Sequence, residues 1–440
     1  MADLVIIGNG VAGTTVARHV RKHSDRDITI ISSESRHFYS RPALMYLYMG
    51  HMKYDNIKPY EDWFWEKNRL DLMFDYVRHI DTDNKKLTLA NTADLHYNQL
   101  VLATGSKSNY FGWPGQNLQG VQGLYSLQDL ELMEDNTREA REAVVIGGGL
   151  IGIEMAEMLL TRGIKVTFLV REDRYWGNVL RREEGELIGR HVAEHHVDLR
   201  LATELDAILG DDGGRVRAIR TKSGEEIPCQ FVGLTAGVHP NIDLVRDSSI
   251  QHGRGIRVNT HLETNVPDVF ACGDCAEIIE GDAERGRIEP LWYTGKMQAE
   301  ALAQTLVGKR TEYDRGIWFN SAKFFDIEYH TYGFVAAEPR DCEETFYWEH
   351  PDGKQCMRLV YHRDDGRLIG MNSFGIRYRH RVFERWLAEN RTVAYVLTHL
   401  NEANFDPEFF KRFEREMVAA YNQTAKTPIQ LKRRKVLGIF

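Results

Sequence analysis

Two short apolar runs, Leu4–Ile7 and Ala143–Ile146, each stop at a glycine-rich turn and pass into a helix-like segment. Uninterrupted apolar runs of this length predict strands buried on both faces, the kind found in parallel sheets. The next apolar strands, Ile28–Ser33 and Lys165–Val170, complete two βαβ units. Short strands follow the first unit near Val77–Ile80 and Lys86–Ala90, and the apolar strand Gln99–Leu102 ends at Thr104-Gly105. Phe111–Gly115 reads as a linker. The second unit carries strands near Val197–Leu201 and Val216–Thr221, and Phe231–Thr235 runs to a glycine turn at Gly237. Residues 296–307 predict a helix. From about 311 the pattern changes to aromatic-rich alternation, which predicts an antiparallel sheet with hairpins at Pro351–Gly353 and Asp364–Gly366. Residues 376–421 read as helical, with Phe409, Phe413 and Met417 spaced along one face.

The turns themselves carry chemistry. The first places Gly8, Gly10 and Gly13 ahead of a helix, with Glu34 closing the next strand; the second repeats the spacing at Gly147, Gly149 and Gly152. Glycines at this spacing allow the tight turn, the close backbone approach to a pyrophosphate and the helix–sheet contact. One such turn is a weak signal; two in their strand–helix context are strong. They predict two bound dinucleotides, and the natural chemistry between two dinucleotides is hydride transfer. A carboxylate ending the second strand, as Glu34 does, suits two ribose hydroxyl donors.

Composition narrows the classes. At 440 residues the chain exceeds one core. The net charge is −8. Residues 376–440 hold 13 Lys/Arg against 7 Asp/Glu, and the remainder 43 against 57. The main body is therefore acidic, which excludes nucleic acid as its expected partner. The chain enters a strand at once, so no signal peptide is expected, and no apolar window is long enough for a membrane span. Five scattered cysteines fit a reducing, cytoplasmic setting better than a disulfide framework.

The order of motifs (glycine turn and Glu34, Ala103-Thr104-Gly105, second glycine turn, then Thr264–Asp274) resembles the two-dinucleotide flavoproteins of the pyridine nucleotide–disulfide oxidoreductase superfamily. Tyr39-Ser-Arg-Pro-Ala-Leu44 is similar to the branch holding rubredoxin reductases, ferredoxin reductases and the flavin portion of nitrite reductases. That branch usually carries a lysine where this chain has Tyr46. The resemblance covers roughly residues 1–375. It implies an α/β fold with two Rossmann-like dinucleotide-binding domains, a small α+β C-terminal domain and a helical extension. The expected segments are 1–110 and 238–310 for FAD, 111–237 for NAD(P), 311–375 for the third domain and 376–440 for the extension.

By the same resemblance, Gly8, Gly10 and Gly13 hold the FAD pyrophosphate and Glu34 the adenosine ribose. Arg41 lies near flavin and pyrophosphate, and the Val77 backbone near adenine. Thr104 and Gly105 close the FAD domain, Asp274 bonds the ribitol region, and Trp292 lies in the segment against the flavin ring. Gly147, Gly149 and Gly152 hold the NAD(P) pyrophosphate, and Glu154 sits near the nicotinamide. The second nucleotide strand ends in Val170 rather than an acid. Arg171 beyond it suits the 2′-phosphate of NADPH, or heads a solvated charged loop.

Residues 36–55 contain no cysteine, which argues against a disulfide relay. Cys272 and Cys275 have the spacing of a redox pair, but Asp274 and Gly273 between them are assigned to the flavin, so structural thiols are expected. Among 17 histidines no HExxH-type spacing occurs, no metal site is expected, and His195-His196 reads as surface. The expected function is an FAD-dependent NAD(P)H oxidoreductase that passes electrons to a small rubredoxin- or ferredoxin-like protein. Alternatives are an oxidase using oxygen or small oxidants, a nucleotide-responsive binding module, and the flavin subunit of a larger redox complex. A homodimer is compatible with each. Lys432–Lys435 reads as a solvated tail, or as a dock for an acidic partner.

Overall fold

A computed structural model describes residues 2–281, 283–405, 409 and 411–432. The chain forms two compact units: residues 1–147, 158–165 and 205–315, and residues 148–157, 166–204 and 316–440.

In the first unit, strand β1 (Ala2–Ile7) leads through helix α1 (Val11–Arg21) to β2 (Ile28–Ser32). Beyond these come β3 (Leu70–Phe74), β4 (Val77–Asp81), β5 (Lys86–Leu89) and β6 (Leu95–Leu102). β1 lies between β2 and β6, parallel to both, with Val5 beside Thr29 and Leu100. β3 extends the parallel edge at β2, and the short strand Val269–Ala271 runs parallel to β6. The start of β6 instead pairs antiparallel with β5, which forms a hairpin with β4. Both faces of β1 and β2 are buried, as the apolar runs predict, with α1 packed against the helix Trp292–Leu306. Because β1, β2, β6 and Val269–Ala271 are parallel, their C-terminal ends gather Gly8, Glu34, Thr104 and Asp274 along one edge, where open α/β sheets bind ligands.

The same unit contains the parallel strands Val121–Gln122, Phe231–Leu234 and Glu142–Ile146, with Phe231–Leu234 in the middle. A three-stranded antiparallel meander spans 205–228. Ser106–Ser108 and Val238–Pro240 pair as a two-stranded ribbon.

In the second unit, strands Lys165–Leu169 and Asp198–Arg200 pair in parallel, and the helix Arg182–Glu194 lies between them in sequence. A five-stranded antiparallel sheet follows, in the order Phe319–Phe324, Ile327–Gly333, Leu368–Phe374, Cys356–His362, Glu343–Glu349. Both expected hairpins form, with Gly353 and Gly366 at φ +71° and +69°, a conformation open to glycine at no steric cost. Arg358, 1% exposed, pairs with Glu184 at 3.1 Å and Glu183 at 2.7 Å, which ties the helix Arg182–Glu194 to this sheet.

The C-terminal extension is broken into helices His380–Ala388, Val393–Thr398 and Glu414–Asn422 around the buried Trp386. The expected stripe therefore holds only in part. Phe413 and Met417 are buried, whereas Phe409 lies ahead of the last helix and is 83% exposed. Of the basic tail, Lys432 donates its N–H to Thr398 O, and Arg433–Lys435 lie outside the described residues. No helix among the described residues is long and apolar enough to cross a membrane.

Candidate functional site

The first glycine turn is built by close backbone approach. Gly8 sits at φ +110°, and a Cβ there would lie 2.1 Å from Ala103 O at the end of β6. A Cβ on Gly13 would lie 2.0 Å from Gly8 O, so the third glycine lets α1 pack onto the turn. At Gly10 a Cβ would meet nothing within 4 Å. α1 starts there without a side-chain cap and without an acidic residue in its first turn. Helix starts expose unpaired N–H groups and a positive dipole end, so this turn offers an uncapped, open cradle to phosphate. Below it, buried Asn9 donates to Ser35 O at 2.7 Å.

Glu34 follows β2 and is already engaged. Its carboxylate accepts from Arg41 through both guanidinium ends (2.9 and 2.7 Å), from Leu127 N–H (3.0 Å), and from the Tyr39 hydroxyl. Burial pushes its pKa up, but the Arg41 hydrogen bond and charge outweigh this and leave it below the usual carboxylate range. Arg41 also donates to Tyr125 O, and its guanidinium lies over the rings of Tyr125 (4.3 Å) and Tyr39 (5.4 Å). Arg41, expected near flavin and pyrophosphate, is paired with Glu34 in the structure, on the same edge as the first glycine turn.

Asp274 follows the strand Val269–Ala271. Its Oδ2 accepts from Ser106 Oγ at 3.1 Å and the Tyr125 hydroxyl at 3.3 Å. Burial pushes the Asp274 pKa up, against the opposing pull of Ser106, Arg41 and Tyr125. Gly273, at φ +81°, brings this loop against Ala12 of α1, where a Cβ would approach to 2.9 Å. Thr104 Oγ1 donates to Asn241 O at 2.7 Å beside Gly105 at φ +68°. Val77 is buried at the start of β4, and Trp292 stacks on Phe38 at 5.9 Å. Glu34, Arg41, Tyr125, Ser106 and Asp274 thus form one polar network along the C-terminal edge of the sheet. Tyr125 and Ser106 had no sequence assignment. Tyr125 precedes Ser126, which caps the helix Leu127–Thr137 in a capping box with Asp129, so Ser-Leu-Gln-Asp was the readable signal.

At the second turn, Gly147 sits at φ +113°, and a Cβ would lie 2.8 Å from Thr235 O. Gly149, like Gly10, has open space where its Cβ would be, and the helix Leu150–Thr161 starts with no acidic residue in its first turn. Gly152 is buried in that first turn. The buried Tyr175 donates to Gly149 O at 3.3 Å. Glu154 is pushed up to about 7 by burial and by the Glu157 carboxylate, with Lys323 pulling the other way. Lys323 Nζ is 2.8 Å from Glu157. Val170 is fully buried, while the Arg171 side chain is 72% exposed beside Glu172 at 3.0 Å.

Cys272 and Cys275 are fully buried free thiols whose pKa values burial raises, as expected of structural rather than reactive cysteines. His195 is half-exposed, but it stands with His191 and Asp326 in a group with metal-ligand spacing that sequence reasoning did not pick out. The signal was a histidine pair four residues apart, at 191 and 195; its third member comes from a distant turn.

Both turns fit a dinucleotide: each combines a glycine forced by close backbone approach with an open, uncharged start to a helix. Residues 2–299 match the family model described as pyridine nucleotide-disulphide oxidoreductase. The chain is 30% identical over 347 residues to nitrite reductase [NAD(P)H] of Bacillus subtilis, covering 78% of this chain and 42% of that protein. It is 32% identical over 329 residues to rhodocoxin reductase of Rhodococcus erythropolis, covering 73% and 76%. The crystal structure of a ferredoxin reductase from Rhodopseudomonas palustris shares the fold with TM-score 0.77 at 24% identity, over 92% of this chain and 96% of that one. The chain belongs to the pyridine nucleotide-disulphide oxidoreductase family.

Proposed function

We propose that this chain is an FAD-dependent NAD(P)H oxidoreductase that delivers electrons to a small rubredoxin- or ferredoxin-like protein. The observation that carries the reading is the pair of complete glycine cradles in a chain without a cysteine between residues 36 and 55. Held by these residues, FAD would supply the hydride and single-electron chemistry that protein side chains cannot.

The residues bind, orient and set charge. Gly8, Gly10 and Gly13 receive the FAD pyrophosphate at the start of α1, and Asp274 with Ser106 receives the ribitol region. Arg41 keeps Glu34 ionised, the state that accepts from ribose hydroxyls. The Val77 backbone would face the adenine, Thr104 and Gly105 would close the edge, and the segment with Trp292 would hold the flavin ring. Gly147, Gly149 and Gly152 receive the nicotinamide nucleotide, and exposed Arg171 pairs a 2′-phosphate, which favours NADPH over NADH. Glu154, pushed up to about 7, would be able to take up or release a proton beside the nicotinamide near neutral pH. We place the protein in the cytoplasm, in line with its free thiols. A homodimer is compatible with this reading and is checked by light scattering.

The test is an acceptor panel after anaerobic reduction. A rubredoxin or small ferredoxin should be reduced faster than oxygen or a disulfide at matched concentration. Equal or faster turnover with a disulfide would overturn the proposed acceptor class.

A further inference from the structure

Away from both glycine turns, three ligand-type side chains converge within the second compact unit. His191 and His195 are four residues apart at the end of the helix Arg182–Glu194, a spacing that puts both on one face. The turn between strands Phe319–Phe324 and Ile327–Gly333 carries Asp326 to them. Its Oδ1 lies 2.7 Å from His191 Nε2 and 3.2 Å from His195 Nε2. One ligand atom from each residue lies within 4.8 Å of the other two. His191 is 2% exposed, yet neither of its ring nitrogens makes a hydrogen bond of acceptable geometry. Buried polar atoms are nearly always satisfied, so this one calls for an explanation.

The surroundings hold the group in place. The Phe325 ring stacks on His195 at 4.1 Å with an interplanar angle of 6°. On the far side of His191, Glu194 Oε2 is 3.7 Å from Nδ1, a nearby negative charge beyond hydrogen-bond reach. Lys354 Nζ lies 3.7 Å from Glu194 in turn.

We propose that His191, His195 and Asp326 bind one divalent transition-metal ion of the zinc type, which ties the helix end to the hairpin turn. Two imidazole nitrogens and one carboxylate oxygen form a borderline donor set, suited to zinc or its neighbours rather than to calcium or magnesium. Tetrahedral bonds of about 2.0–2.1 Å place ligand atoms roughly 3.3 Å apart, so the 2.7 Å pair must open slightly. Asp326 has the freedom to do so, since its side chain is 66% exposed at a turn. Three protein ligands leave one position for water, and the ion would sit where His191 Nε2 and Asp326 Oδ1 now face each other at 2.7 Å.

The test uses the full-length, FAD-loaded protein after dialysis against a chelator, titrated with Co²⁺ as a spectroscopic probe and then with Zn²⁺. One equivalent of Co²⁺ should give the visible band of a four-coordinate site, and Zn²⁺ should abolish it. His195→Gln and Asp326→Asn change the more exposed ligands, so each should weaken binding about tenfold or more while leaving flavin content unchanged. A Co²⁺ band that survives both substitutions would put the metal elsewhere, and absence of any stoichiometric binding would leave only an ion-pair cluster of the two histidines with Asp326; either result overturns the proposal. Flavin reduction by NADPH in the same samples reports on the oxidoreductase reading separately.

Discussion

The two glycine turns share a backbone and part company one strand later. Gly8 and Gly147 have φ of +110° and +113°, and Gly10 and Gly149 each face open space. After the following strand, the first turn has Glu34, held by Arg41 and Tyr39; the second has buried Val170 and then exposed Arg171. In both cases the backbone makes a tight turn with an open start to a helix, the shape that suits a phosphate. The difference lies in the side chain at the strand end: a fixed carboxylate, which suits ribose hydroxyls, against an exposed guanidinium beside Glu172, which would suit a phosphate.

The strongest way to break this comparison is to add one methyl group to each turn. Gly8→Ala puts a Cβ 2.1 Å from the Ala103 carbonyl, against 2.8 Å from Thr235 O for Gly147→Ala. The first should cost roughly 3 kcal/mol or more and yield protein lacking flavin, since backbone overlap and positive φ act together. The second should retain flavin and raise KM for the nicotinamide nucleotide. Flavin absorbance of the purified variants, with denaturant midpoints, checks both. If both variants lost flavin equally, the two cradles would not be assigned to different nucleotides.

Glu34→Ala probes the strand end of the first turn. It leaves the Arg41 guanidinium without its carboxylate and should cost about 2 kcal/mol. Glu34 has a depressed pKa in the fold, so its contribution is present above the ordinary value of 4.5 and is lost as pH falls below it. The difference between wild type and variant in chemical denaturation should therefore shrink in acid.

At the second turn, Arg171→Ala should raise KM for NADPH about tenfold, roughly 1.4 kcal/mol, and leave NADH nearly unchanged. A variant that loses both nucleotides equally would show that Arg171 does not read the 2′ position. The smallest effect is expected at Glu154. Its pKa of about 7 in the fold against 4.5 ordinarily means that ionisation opposes folding above pH 4.5, with the full cost present above 7. Glu154→Gln should therefore stabilise the protein by on the order of 1 kcal/mol at pH 8 and not at pH 4, read from paired denaturation curves.

The parallel strands and both cradles were legible because glycine at a positive φ and an unbroken apolar run each have a single physical explanation here. Gly8 has no room for a Cβ, and β1 is covered on both faces. The hairpins at Gly353 and Gly366 were legible for the same local reason. What depends on distant partners was not. Nothing near Arg41 in the chain announces that its guanidinium lies between the rings of Tyr39 and Tyr125, because Tyr125 arrives from another segment. Phe409 matched the helical period of Phe413 and Met417, yet the helix begins only at Glu414. His191 and His195 showed their spacing, but Asp326 joins them only through the fold of a hairpin more than a hundred residues away.

If one glycine turn holds FAD and the other the nucleotide that reduces it, the flavin must respond to that nucleotide. Anaerobic rapid mixing of the purified yellow protein with NADPH, and separately with NADH, tests this directly through the flavin absorbance band. The band should bleach with both nucleotides, at lower concentrations of NADPH, and recover when a rubredoxin or small ferredoxin is added. Protein that carries flavin but keeps its band with either nucleotide would contradict it.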